Sequence, residues 1–266
     1  MLRLIKKNIW LVFLCLALFA RPVSAEEIKE FVVLMKIDSE ANVHVVEKII
    51  YDFEQQTRYG IYRYLPIKYQ NDLVDYNLQL EEIDVPEYKF VTSRVGDRLL
   101  IKIGEEGKEL SGVQFYGINY LVKRAFAYEA DRDELSWQVT GNGWPVGIRL
   151  ARAEIDLPRA LPADQVQASC LAGRLGATST CASMSLVKNN AGLVTGISFS
   201  QKNLQPTEGL TINLSLPKGV IAEPGLMARM WDLVKDNYIV LLLVLLVIGA
   251  GLRWRKLLIS KLKFNK

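Results

Sequence analysis

Two apolar segments, one near each end of the chain, most constrain what this sequence can fold into. Residues 2–20 are apolar after a basic start, and residues 238–252 contain no charge and are followed directly by Arg253, Arg255 and Lys256. A chain with this pattern places the residues between the two segments outside the cytoplasm. The sequence therefore predicts a single-pass protein of the cell membrane, with its N-terminal domain extracytoplasmic and its C-terminus cytoplasmic.

The N-terminal segment has the three parts of a secretory signal peptide. A basic region precedes the apolar residues 8–20, and Val23, Ser24 and Ala25 provide the small residues of a cleavage site. We therefore expect residues 1–25 to be the signal peptide and the mature chain to begin at Glu26. An uncleaved anchor is the alternative, and it leaves the domain on the same side of the membrane.

The C-terminal segment fits a transmembrane helix with aromatic anchors. Its fifteen residues span about 22 Å as a helix, against a hydrocarbon core of about 30 Å. Trp231, Tyr238 and Trp254 flank it, and such side chains favour the membrane interface. We predict a juxtamembrane segment at 226–237, the span at 238–252 and a basic tail at 253–266. A buried core helix is the alternative.

The charge distribution excludes one class of partner and favours another. The chain has 33 Lys and Arg against 29 Asp and Glu, and ten of the basic residues lie in 1–25 and 238–266, where there is no acidic residue. Residues 26–237 are therefore acidic, which argues against binding nucleic acid through phosphate contacts. The basic tail suits contact with anionic membrane lipid.

Two cysteines remain after the signal peptide, and they predict a disulfide. Cys170 and Cys181 close a twelve-residue loop rich in small residues, as is common in oxidising compartments. A free thiol pair and a metal site are the alternatives. Zinc is disfavoured because His44 is the only histidine of the chain, and we expect no metal and no cofactor.

Residues 26–225 read as β-structure almost throughout. Apolar residues alternate with polar ones in 43–53, and about ten such runs are separated by turn residues. The expected fold class is all-β: an antiparallel β-sandwich as the extracytoplasmic domain, followed by the transmembrane α-helix. A softer subdomain boundary falls near 158–162, where two prolines interrupt the pattern.

The most distinctive candidate site is a block of arginines and tyrosines. Arg58, Tyr59, Tyr62 and Arg63 surround Gly60, which we expect to adopt a backbone angle that favours glycine. One interpretation is a ligand or partner patch, in which tyrosines stack and arginines pair with anions. The other is a structural corner, in which arginine pairs with an acidic neighbour and Tyr62 is buried.

Trp144 is a second candidate for ligand binding, whereas the alternation around Trp137 places that residue in the core. Catalysis has little support, because the sequence contains no nucleophile elbow, phosphate loop or dinucleotide fingerprint. The acidic residues 131, 133 and 134 lie close together in the sequence, so solvated turn charges are the simplest interpretation and a calcium site is the alternative.

Several of these motifs resemble a known family, the domain of unknown function 2207 of predicted membrane proteins. They are R-Y-G-I-Y-R-Y-L-P at 58–66, Y-L-V at 120–122, D-E-L-S-W-Q-V-T-G at 133–141, W-P-V at 144–146, C-L-A-G at 170–173 and the closing segment 204–219. The resemblance covers roughly 28–225 and implies an extracytoplasmic β domain before a transmembrane helix. It also implies that longer members continue into the cytoplasm, so we expect a partner to contribute there.

The expected function is that of a membrane-anchored extracytoplasmic interaction module. It would be a non-catalytic subunit or scaffold that binds another membrane or envelope protein. The alternatives are a sensor domain that binds a ligand or carbohydrate and an uncharacterised hydrolase. A flat apolar patch rimmed by polar residues would favour the first, exposed aromatic side chains in a groove the second, and a buried carboxylate pair in a cleft the third.

Overall fold

A computed structural model describes residues 25–71 and 74–236, together with Leu246 and Arg253. This part of the chain is built almost entirely of β-strands. In chain order they are β1 (Glu27–Ile37), β2 (Val43–Asp52), β3 (Gly60–Pro66), β4 (Lys68–Asn71), β5 (Val74–Asn77), β6 (Gln79–Asp84), β7 (Phe90–Val95), β8 (Arg98–Gly104), β9 (Val113–Lys123), β10 (Phe126–Tyr128), β11 (Arg132–Gln138), β12 (Gly147–Leu161), β13 (Gln167–Gly173), β14 (Ser183–Lys188), β15 (Val194–Leu204) and β16 (Gly209–Pro217).

The strands form one large sheet and three smaller ones. The large sheet has the order β14-β15-β12-β1-β2-β9-β6, a four-stranded sheet has the order β10-β11-β16-β13, and a three-stranded sheet has the order β3-β8-β7. Strands β4 and β5 form a separate hairpin. The predicted all-β class and the antiparallel pairing are confirmed for these sheets, with one exception.

The exception is the pairing of β1 with β12, which is parallel. After β9 the chain leaves the large sheet to form β10 and β11 of the four-stranded sheet, and it returns as β12 beside β1. Strand β12 ends at Leu161, within the softer boundary predicted near 158–162, and its register with β15 is irregular between Asp156 and Leu161. The subdomain boundary stays a prediction.

Side-chain alternation decides which face of each strand is buried. In β2, Val43, Val45 and Ile49 point into the core while His44 and Lys48 face solvent, as the sequence predicts. The apolar run of residues 115–128 is interrupted at Arg124, whose φ of 61° turns the chain from β9 into β10. One apolar run in the sequence therefore forms strands of two different sheets.

The inner faces of the three main sheets share one hydrophobic core. Trp137 of β11 is buried, as predicted, and its ring lies 6.4 Å from that of Tyr120 in β9. The rings of Phe31 in β1 and Trp144 meet edge to face at 5.8 Å. Because aromatic pairs of this kind favour close, specific packing, the sheets are held in a defined arrangement.

The predicted disulfide between Cys170 and Cys181 is present and ties the middle of β13 to the loop that follows the strand. We expect the double change Cys170→Ser and Cys181→Ser to lower the free energy of unfolding by roughly 3 kcal/mol, since the unfolded chain loses a loop constraint. Thermal unfolding with and without reductant measures this, and membrane insertion should be unaffected. An unchanged melting temperature on reduction would contradict the prediction.

The C-terminal end of the described domain is a short helix, α1 (Leu226–Asp236). An ion pair of 3.6 Å between Arg124 and Asp232 joins it to the β domain, and Trp231, an expected membrane anchor, is mostly exposed. None of the helices in the described residues is long and apolar enough to cross a membrane. Residues 1–24 of the predicted signal peptide and the predicted span at 238–252, including Tyr238 but not Leu246, lie outside those residues. So do Trp254, Arg255 and Lys256, whereas Arg253 is described and exposed.

Candidate functional site

The second arginine of the block at 58–63 forms a buried ion pair between two sheets. Arg63 of β3 and Glu47 of β2 are both inaccessible to solvent. The Arg63 guanidinium donates from Nε to Glu47 Oε2 at 2.8 Å and from Nη2 to Oε1 at 2.7 Å. This two-point geometry is the strongest form of arginine–carboxylate contact, and it fixes β3 against β2.

A tyrosine completes the charge compensation of Glu47. The Tyr120 hydroxyl donates to Glu47 Oε1 at 2.6 Å. Burial, together with the neighbouring carboxylate, holds the pKa of Tyr120 well above its usual value, so the phenol stays protonated. Burial alone would lower the pKa of Arg63, but Glu47 outweighs that effect and the pKa is raised. Tyr120 and Arg63 therefore both keep their protons near neutral pH.

The same guanidinium holds the segment that follows β11. Arg63 Nη2 donates to the carbonyl of Val139 at 2.9 Å, and Nη1 donates to the carbonyl of Thr140 at 2.6 Å. Trp144 Nε1 donates to the Thr140 carbonyl as well, at 2.9 Å. At Gly141, where φ is 71°, a Cβ atom would lie 3.0 Å from Arg63 Nη1, so the glycine makes room for the arginine. We call Glu47, Arg63, Tyr120 and Thr140 the arginine joint.

The structure separates the predicted site residues into two groups. Arg63 and Trp144 are buried in and beside the arginine joint, so neither offers a surface to a ligand. Tyr59 and Tyr62 are 50% and 53% exposed. The structural interpretation therefore fits Arg63, but its expectation that Tyr62 is buried is wrong, because Tyr62 alternates to the opposite face of β3.

Arg58 lies at the edge of the domain and has a different partner. Its Nη2 atom is 2.6 Å from Glu26 Oε1, and the side chain is half exposed. Glu26 also accepts a hydrogen bond of 2.9 Å from the Tyr51 hydroxyl. Arg58 thus anchors the start of the described chain, and it does not join Arg63 in one pocket.

Sequence reasoning missed Glu47 as the partner of Arg63, although a signal was available. Glu47 stands on the apolar face of β2, between Val45 and Ile49. A carboxylate at a core position requires a buried cation or hydrogen-bond donors. The alternation of β3 likewise places Arg63 on the buried face, between Ile61 and Leu65.

The buried carboxylates of the described domain are each neutralised by one cation. Asp52 pairs with Lys29, whose hydrogen bond lowers the pKa of Asp52. Asp133 Oδ1 lies 2.7 Å from Lys218 Nζ. Asp133 is buried, whereas we expected the acidic residues 131, 133 and 134 to be solvated. These three buried carboxylates do not form a pair across a cleft. The described residues also contain no cluster of ligands suited to a metal ion.

The outer face of the large sheet carries an apolar surface in its middle. Five side chains from three adjacent strands share this face and are only partly buried or are exposed. They are Val32 and Leu34 of β1, Val46 and Ile50 of β2, and Phe115 of β9. We call this set the outer patch. Phe115 is 59% exposed, which is high for a large apolar side chain of a monomeric domain.

A groove of about 310 Å³ runs along one end of the outer patch, within the size range of pockets that bind small molecules and side chains. Its lining includes Val32, Ile50 and Phe115 together with Pro86 and Glu87 from the loop after β6. Gly117 stands opposite Lys48 in the register and contributes no side chain. The missing side chain leaves the hollow, and the charged residues of its lining are Lys48, Glu30 and Glu87.

A family model described as the N-terminal domain of predicted membrane proteins, DUF2207, matches residues 27–216. Uncharacterized protein YciQ of Escherichia coli (strain K12) is 34% identical over 123 residues. That match covers 44% of this chain and 18% of the relative, so the chain spans a small part of that protein's length.

Solved structures with related strand arrangements are distant. Leukotriene A4 hydrolase of Saccharomyces cerevisiae is 9% identical, covering 71% of this chain and 29% of that chain, with a TM-score of 0.37. An M1 zinc metallopeptidase of Deinococcus radiodurans is 9% identical, covering 78% and 52%, with a TM-score of 0.35. At these scores the likeness carries no argument about this chain.

Proposed function

Because the chain belongs to the DUF2207 family of predicted membrane proteins, we propose that it is a membrane-anchored extracytoplasmic interaction module. It acts as a non-catalytic subunit or scaffold of an envelope assembly, and its partner is another membrane protein. The outer patch is the observation that carries this proposal.

The outer patch has the composition of a protein-binding surface. Apolar side chains at its centre are bordered by charged residues, including the Glu30–Arg152 ion pair with 3.3 Å between Oε1 and Nη1. Surfaces with an apolar centre and a polar rim are typical of protein partners. A sheet face with one side groove suits a partner segment that inserts an apolar side chain beside Phe115.

The arginine joint supports a rigid module with no catalytic role. Its charges are saturated by mutual contacts and shielded from solvent, so they are not available to a substrate. A buried, fully hydrogen-bonded ion pair favours one defined arrangement of the elements it joins. Such rigidity keeps a docking surface preorganised, which lowers the entropic cost of binding.

The membrane arrangement belongs to the proposal. Both ends of the chain are basic, whereas the residues between them are acidic. This charge distribution supports a cleaved signal peptide, an extracytoplasmic domain, a span at 238–252 and a cytoplasmic tail. The described chain enters α1 directly before that span. The outer patch therefore stands on a domain held close to the bilayer, where other membrane proteins are within reach.

The test is a comparison of two matched surface variants in intact cells. Phe115→Ser removes the most exposed aromatic ring of the outer patch, while Leu175→Ser removes a side chain that is 78% exposed in the loop between β13 and β14. After crosslinking and purification through a C-terminal tag, we expect Phe115→Ser to reduce the co-purified membrane protein about tenfold, as for a central interface residue. Leu175→Ser should leave it unchanged.

The opposite pattern contradicts the proposal. If Phe115→Ser recovers the same amount of partner as the wild type while both proteins are equally abundant, the outer patch is not the docking surface. If no membrane protein is recovered with any form, the interaction module itself is wrong.

Exposed tyrosines favour a second candidate, a domain that binds a ligand or carbohydrate. Tyr59 and Tyr62 lie away from the outer patch, on and beside β3. No specific observation in the described residues favours the third alternative, a hydrolase.

A further inference from the structure

The outward face of the three-stranded sheet is a platform that combines tyrosines with cations. The register aligns Tyr62 of β3 with Lys102 of β8 and Val91 of β7. Tyr62 and Val91 are 53% and 63% exposed, and Lys102 is exposed. This row therefore offers an aromatic ring, an ammonium group and an aliphatic side chain to solvent in one line across the sheet.

The neighbouring rows extend the same chemistry. Tyr64 pairs with Leu100 in the next row, and Pro66 pairs with Arg98 in the row after that. The Arg98 guanidinium carbon lies 5.9 Å from the centre of the Tyr64 ring, a cation–π distance that orients the guanidinium. We call Tyr62, Tyr64, Val91, Arg98 and Lys102 the tyrosine platform.

The platform differs in charge from the rest of the domain. The strands β3, β7 and β8 contain no Asp or Glu, but they contain Arg63, Arg94, Arg98 and Lys102, of which only Arg63 is buried. Residues 26–237 as a whole carry more acidic than basic residues. The three strands are therefore more basic than the domain as a whole, although Asp97 lies in the turn between β7 and β8 and Glu105 follows β8. An anion is attracted more to this sheet than to the rest of the domain.

We propose that the tyrosine platform binds an anionic sugar polymer. Tyrosine rings present flat apolar faces on which the C–H faces of sugar rings can pack, while their hydroxyls reach sugar oxygens. Lys102 and Arg98 pair with the acidic groups of the polymer. The site is an open sheet face on which Tyr62 and Lys102 share one row, Tyr64 stands in the next and Arg98 in the one after. Such a face suits an extended chain better than a single small molecule.

This proposal is independent of the docking role of the outer patch. The two surfaces lie on different sheets, and they share no residue. A negative result for one surface therefore does not contradict the proposal for the other.

The experiment measures binding of polygalacturonate, a uronic acid polymer, to the full chain in non-ionic detergent. The wild type should bind it, bind neutral dextran of similar length at least tenfold more weakly, and lose affinity as salt is raised. We expect Tyr62→Ala to weaken binding about fivefold and Lys102→Gln about threefold. Lys202→Gln, at an exposed lysine of β15, is the matched control and should leave binding unchanged.

Several outcomes overturn the proposal. They are equal binding of dextran and polygalacturonate, equal loss from Lys202→Gln and Lys102→Gln, or unchanged binding by Tyr62→Ala and Lys102→Gln with a wild-type melting temperature. Selective binding of phosphatidylglycerol vesicles or of a thymidine oligonucleotide, without binding of polygalacturonate, overturns it as well. Because the side chains of Tyr62 and Lys102 are exposed, the variants Tyr62→Ala and Lys102→Gln should fold normally.

Discussion

Replacing Arg63 by alanine is expected to lower the free energy of unfolding by about 3–5 kcal/mol, the range seen when one partner of a buried ion pair is removed. The change leaves Glu47 buried, with the Tyr120 hydroxyl as its remaining side-chain hydrogen-bond donor among the described residues. It also removes the donors to the carbonyls of Val139 and Thr140. Chemical denaturation of the purified chain measures the effect.

Two controls separate the buried pair from arginine loss in general. Arg58→Ala removes a half-exposed arginine that pairs with Glu26, and it should cost less than about 1 kcal/mol. The combination of Arg63→Met, Glu47→Leu and Tyr120→Phe removes the charges and the hydroxyl together, so it should recover part of the lost stability. A fully stable Arg63→Ala variant that has lost its partner would reverse the structural assignment of Arg63.

Replacing Gly60 by alanine is expected to destabilise the domain by at least about 3 kcal/mol, because strain and overlap act together. Gly60 has a φ of 142°, and an added Cβ would lie 1.8 Å from the carbonyl oxygen of Ile103. The obstacle is backbone of β8, which cannot rotate away. Gly60 therefore allows β3 to approach β8 and places Arg63 within reach of Glu47. Thermal unfolding of the variant measures the effect.

Gly96→Ala is the matched control for Gly60→Ala. Gly96 also has a positive φ, of 60°, but an added Cβ there meets no heavy atom within 4 Å. This variant isolates the cost of the backbone angle, roughly 1 kcal/mol. Similar losses for the two variants would show that the close approach of the strands is unimportant.

The local pattern of apolar residues predicts many of the strands, but it does not predict which distant strands pair. The alternation in β2 is visible in the sequence because one face of that strand is apolar, and the break at Arg124 falls where the apolar run is interrupted. The parallel pairing of β1 with β12 is not visible, because alternation specifies which face is buried and not which strand is the neighbour.

The candidate site was predictable only in part, for the same reason. The sequence marks Arg63 as distinctive, but the contacts that define its role come from Glu47 and from Thr140, which lies 77 residues away. Only the assembled sheets bring these groups together. The outer patch was also hidden, because residues 31–35 are all apolar and periodicity cannot show which of them remain accessible.

Site-specific photocrosslinking can show whether the outer patch docks another membrane protein. A photoreactive residue is placed at position 115 and, in a separate chain, at position 175, and both are irradiated in intact cells. We expect one dominant adduct from position 115, containing a different membrane protein, and none of that adduct from position 175. Absence of an adduct at 115, or the same adduct from both positions, would contradict it.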